Sequence, residues 1–157
     1  MTHMSTIVKE QAIMMQEITR LVSEGKTISI SAKGYSMNPF IVHLKDQITL
    51  GPWTDDQIRK GAVVLVKDIR GCYLIHRIIK REDNVLTLMG DGNIGIIETA
   101  YVEDVIALMH AVIKKRRTYS VNSLSWRLYS WLWKLLTPVR RYPLAVWRRL
   151  HPQQPLR

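Results

Sequence analysis

The sequence predicts a mainly β body of coiled or barrel-like sheet, preceded by one helix and followed by a basic helical tail. Three observations carry that expectation. Between residues 26 and 113, short runs rich in Val, Ile, Leu and Tyr alternate with Gly-, Pro- and Asp-containing turn signals. The first 25 residues instead carry apolar side chains at helical spacing. From Lys114 onward there are 11 Lys/Arg and no Asp or Glu, so the character of the chain changes there.

Each element has its own signal. Over residues 6–24, Ile7, Met14, Ile18 and Leu21 recur with a helical period, and Gly25 is placed to end the helix. Residues 27–32 alternate polar and apolar, as a half-buried strand does. Further strands are expected at 47–50, 62–67, 72–80 and 84–89. Their boundaries are the turn signals Gly51-Pro52, Lys60-Gly61, Arg70-Gly71 and Asp83-Asn84, with Gly90 to Gly92 closing the last. Residues 102–113 form a continuous apolar run, which suits either a strand or a buried helix. The chain thus divides into a helix at 1–25, a β domain at 26–113 and a basic, Trp-rich tail at 114–157.

Composition narrows the function classes. At 46% hydrophobic and 23% charged, the 157 residues suit one folded domain with a short appendage. The single cysteine, Cys72, excludes an internal disulfide framework and paired-thiolate zinc sites, and is expected to pack in the core. Charges interrupt residues 5–24, so no secretory h-region is expected. No run approaches the ~18–20 apolar residues of a membrane span, and a cytoplasmic location follows as the expectation. The first 113 residues hold 12 basic against all 13 acidic residues, so the net charge of +10 belongs to the tail.

Three short motifs carry chemistry. The first runs from Gly34 through Tyr35, Ser36, Met37, Asn38 and Pro39 to Ile41, directly after the first strand. Gly34 and Pro39 fix a sharp turn that leaves the Ser36 hydroxyl exposed; an ordinary Gly/Pro turn is the other reading. A serine is a poor nucleophile until a base takes its proton, and it needs N–H groups aimed at the developing oxyanion. The second motif is the strand Tyr73–Ile79, in which His76 shares a face with Leu74 and Ile78, opposite Arg77. Histidine suits general-base work near neutral pH, although a lone His on an apolar face also serves as a hydrogen-bonded core residue. The third is the turn Gly90, Asp91, Gly92, Asn93: a plain β-turn, or a carboxylate that orients His76.

In order and spacing these motifs resemble the superfamily that joins signal peptidase I to the LexA and phage-repressor autopeptidases. Gly34 to Pro39 is similar to the nucleophile box, Lys60 to Val66 to the next box, Leu74 to Ile79 to the base box, and Gly90 to Asn93 to the Gly-Asp-Asn box. The resemblance covers roughly residues 26–113. It implies a signal peptidase and LexA-type fold, Ser36 as nucleophile, and Asp91 in the acidic supporting role. Histidine rather than lysine at position 76 resembles the archaeal, endoplasmic reticulum and spore-associated branch. Gly34 stands where many signal peptidases have an oxyanion-donating serine, so the oxyanion hole is expected to rest on backbone amides, with Gly34, Met37 and Pro39 as the substrate and oxyanion residues. Ala62 replaces the usual Asp. A second acidic residue has no clean match, Glu98 being the nearest, and the family's N-terminal membrane anchor is expected to be missing.

In the tail, Leu124, Leu128, Trp131 and Leu135 fall at helical intervals, with Arg127 and Lys134 on another side. Aromatics flanked by arginines suit an anionic bilayer surface, so a peripheral position at the inner face of the membrane is expected. The same helix packed on its own domain or on a partner is the other reading. Nucleic acid is not expected as a partner, since no DNA-binding motif accompanies the basic residues. Together these readings point to a serine endopeptidase that cleaves a precursor, leader or signal peptide near the membrane, with neither cofactor nor metal expected. A catalytically silent peptide-binding module of the same fold is the alternative. A repressor-like autopeptidase ranks below both, because the chain before Gly34 is too short for a DNA-binding domain and a cleavage loop.

Overall fold

A computed structural model of the chain describes residues 2–152, with side chains from residue 10 onward. After the helix α1 (Thr2–Ser23) come the strands β1 (Ile28–Ser31), β2 (Asp46–Gly51), β3 (Val63–Lys67), β4 (Tyr73–Glu82) and β5 (Val85–Met89). Then follow β6 (Glu98–Tyr101), β7 (Val105–Lys114), β8 (Arg117–Ser120) and the helices α2 (Leu124–Leu135) and α3 (Arg141–Leu150). The strands form one sheet in the order β1-β2-β7-β3-β4-β5-β6, with β8 also paired to β7, and every pairing is antiparallel. The protein is therefore mainly β, an open, curled half-barrel sheet with three helices.

The run at 102–113 resolves as strand: β7 takes it up from Val105, and its two halves pair with different neighbours, β3 and then β2. Sheet structure does not stop at residue 113, because β8 turns back onto β7 and pairs Ala111 with Ser120. β6 and β8, four residues each, have no counterpart among the strands expected from the sequence.

Two apolar clusters lie on opposite faces of β3. Val63 and Leu65 join Met15, Ile18, Val22, Leu50, Met109 and Trp126, whereas Val64 and Val66 join Ile58, Ile78, Leu86, Leu88 and Val102. This two-sided burial explains the unbroken apolar run of that strand. α1 seats Met15, Ile18 and Val22 in the first cluster and leaves Ile13 and Met14 exposed. Of the apolar positions expected to pack, Ile18 does and Met14 does not; the Ile7 side chain lies outside the described residues. So do Pro155 and Arg157 of the tail.

Cys72 is exposed rather than packed in the core. It closes a turn instead: the Asp68 carboxylate accepts from the backbone N–H groups of Arg70 and Cys72, and Asp68 N–H donates to the Cys72 carbonyl. Burial disfavours the Asp68 charge. Hydrogen bonds from Cys72 and Arg70 outweigh it and hold the carboxyl below its ordinary range.

The tail packs on the body. Ser123 caps α2 by accepting from the Trp126 N–H at 3.3 Å. Trp126, Ser130 and Trp133 turn inward and are buried, as is Leu144 of α3. The stripe Leu124, Leu128, Trp131 and Leu135 instead faces outward at 80%, 60%, 58% and 61% exposure. α2 thus carries two apolar faces, and the one legible in the sequence is the one left uncovered.

Candidate active site

The serine turn follows β1. Gly34 adopts φ +97°, a left-handed conformation that glycine takes without steric cost, and its N–H donates to His43 Nδ1 at 2.8 Å. That amide is therefore committed, which corrects the expectation that Gly34 supplies an oxyanion donor. Among the described residues the N–H groups of Ser36 and Met37 make no hydrogen bond and remain available for that role. Met37 and Asn38 are buried, and the Asn38-Pro39 peptide bond is cis.

The Gly90-Asp91-Gly92 turn packs directly on this segment. Gly92 N–H donates to the Ser36 carbonyl at 2.7 Å. A Cβ on Gly90 would fall 2.4 Å from the Ser36 carbonyl oxygen, and one on Gly92 would fall 2.4 Å from that of Tyr35. Glycine is required at both positions because two backbones meet there. In the β4–β5 register Met89, the residue before Gly90, pairs with Arg77, the strand neighbour of His76. The serine turn is thereby stacked on the turn that follows β5.

His76 is 4% exposed, and its Nδ1 lies 3.0 Å from Glu98 Oε2. Glu98 is itself buried at the start of β6. Among the described residues His76 Nε2 and Ser36 Oγ make no hydrogen bond, and Asn38 Oδ1 is the one buried side-chain polar atom without a partner. Both catalytic candidates therefore reach solvent at those atoms. No hydrogen bond joins Ser36 Oγ to His76; such bonds are commonly long in ligand-free sites and tighten with substrate.

The expected role of Asp91 needs correction. Its carboxylate takes a two-pronged contact from Arg77, Nε to Oδ1 at 2.8 Å and Nη2 to Oδ2 at 2.7 Å. It also accepts from the Tyr129 hydroxyl at 3.0 Å. The reason is alternation: Arg77 and His76 are neighbours on one strand and point to opposite faces, and Asp91 lies on the face of Arg77. Glu98, the weaker match in the sequence, is the residue beside the imidazole.

Around Asp91 the charges are buried and tightly held. Burial works against the Arg77 guanidinium, but the adjacent carboxylate more than offsets it and leaves the arginine more basic than usual. Burial, followed by the Asp91 charge, pushes the Tyr129 phenol far above its ordinary range, so it stays a neutral donor. Burial pulls Arg140 down, and Asp91 opposes this only in part. Among the described residues no three His, Cys, Asp or Glu side chains converge as metal ligands would.

No protein-family model matches the chain, and no curated protein matches it.

Proposed function

We propose that the chain is a serine endopeptidase of the signal peptidase and LexA type that cleaves a precursor, leader or signal peptide. The observation that carries this reading is the buried His76–Glu98 contact, set beside a glycine-seated serine turn. Ser36 Oγ attacks the scissile carbonyl carbon while His76 Nε2 takes its proton. The oxyanion forms against the Ser36 and Met37 amides. Collapse breaks the C–N bond, His76 returns the proton to the departing amine, and water then hydrolyses the acyl-enzyme ester by the same route. Glu98 keeps the imidazole in the tautomer that leaves Nε2 free to accept.

An extended substrate fits the unpaired edge of β1, where strand addition supplies main-chain hydrogen bonds next to Ser36. A peptide-binding module without turnover is the second reading, and the missing Ser36–His76 hydrogen bond is the observation in its favour. A fluorophosphonate probe separates the two. Labelling mapped to Ser36, together with peptide cleavage that disappears in Ser36→Ala, is the expected result. No labelling, or equal turnover by both proteins, removes the serine mechanism.

The site works at an anionic membrane surface in this reading. No described helix is long and apolar enough to cross a membrane. The outward stripe of α2 is exposed, as are Tyr142, Val146 and Leu150 of α3, and Arg127, Lys134, Arg141 and Arg149 lie on the same two helices. Aromatic and leucine side chains among uncompensated cations match the headgroup region. The protein is expected to sediment with phosphatidylglycerol-rich vesicles and not with phosphatidylcholine alone, less so at high salt. Trp131→Ser should weaken the association roughly tenfold. Equal partitioning onto both vesicle types would dismiss the charge-assisted surface.

A further inference from the structure

The inward face of the tail touches all three sequence motifs at once. Tyr129 stacks on Phe40 of the serine segment with ring centroids 4.6 Å apart. Ser130 Oγ accepts from Arg77 Nη1 at 3.1 Å, on the histidine strand. The Asp91 turn is held from three directions: Tyr129 donates to its carboxylate, Trp133 Nε1 donates to its carbonyl at 3.0 Å, and Arg148 donates to the Gly92 carbonyl at 3.0 Å. Gly92 in turn grips the Ser36 carbonyl. An unbroken line of hydrogen bonds and backbone thus leads from α2 and α3 to the serine.

We infer that the tail is a strut for the active site, with Tyr129 and Trp133 as positioning residues that fix the Ser36 turn through Asp91 and Gly92. The inference rests on the peptidase reading for its catalytic consequence, but the mechanical coupling is independent of it. Tyr129 does not reach the reacting atoms; it sets where they sit. The linkage explains why α2 carries apolar side chains on two faces. One face grips the active-site turn and the other is open to a surface, so the two events share one helix.

Tyr129→Phe is the sharpest test, because it removes the donor and keeps the ring that stacks on Phe40 and Trp133. Two readouts are taken on the folded, full-length protein. Hydrogen exchange at the Gly92 amide should accelerate at least about fivefold relative to amides of β3. Peptide cleavage should lose roughly 10–100-fold in kcat with KM little changed, because misplacement of the nucleophile penalises the chemical step rather than binding. Trp133→Phe, which removes the second donor, should shift both in the same direction. Unchanged Gly92 protection in both variants overturns the coupling, whatever the rate does. A wild-type protein that neither cleaves nor labels refutes the peptidase reading instead, and Gly92 exchange still decides the strut.

Discussion

Under the proposed peptidase function, Glu98→Gln is expected to lower kcat for peptide cleavage by on the order of 10²–10⁴ and to leave KM near its original value. Glutamine occupies the same space, so the change is electronic. A carboxylate beside Nδ1 accepts only, which fixes the proton on Nδ1 and leaves Nε2 as the base. In the proposed mechanism it also balances the imidazolium that forms when Ser36 gives up its proton. An amide can present either its oxygen or its NH₂ group, which admits the wrong tautomer, and it carries no charge. The pair is buried, with 5% side-chain exposure on each partner, so little solvent screens the loss. His76→Ala should cost at least as much. The comparison that matters is with Asp91→Asn: if that variant shows the larger catalytic defect at equal stability, while Glu98→Gln stays within twofold of wild type, Asp91 is the orienting group after all.

Arg77→Met destabilises the fold by about 3–5 kcal/mol. Arg77 and Asp91 each have 3% side-chain exposure, and methionine removes the partner while leaving the carboxylate buried. The loss extends beyond the pair. Arg77 also donates to the Gly61 carbonyl and to Ser130, and its guanidinium lies 5.4 Å from the Trp126 ring centroid. A domain of this size has roughly 5–15 kcal/mol in total, so the variant sits close to its unfolding threshold. Urea unfolding of Arg77→Met and Asp91→Asn, with the double variant to complete the cycle, measures the coupling. Single-variant losses below about 1 kcal/mol would mean that the contact contributes little net stability.

Much of the body was legible because its signals are local. Five strands lie where alternation and turn residues put them, within a residue or two at most ends. Gly90 and Gly92 were recognisable as a turn, but their purpose was not, since a glycine demanded by a close backbone approach reads the same as one demanded by a turn. Glu98 went undervalued for a comparable reason. It opens a four-residue strand after a loop containing Ile94, Ile96 and Ile97, and nothing local distinguishes a buried acid there from a surface one. Trp126, Tyr129 and Trp133 were visible as aromatic residues of a helix. Which side they faced depended on the body waiting to receive them.

Period, turn chemistry and charge distribution are properties of neighbouring residues, and from these the chain itself determined an N-terminal helix, a β-rich body and a basic amphipathic tail. Ser36 and His76, the residues proposed as nucleophile and base, were also picked out from local motifs. Only the folded arrangement decided which carboxylate meets Arg77 and which meets His76, because adjacent residues on a strand project into different environments and meet partners far away in sequence. For the same reason, only the assembled sheet turned one face of the tail toward Asp91 and left the other open.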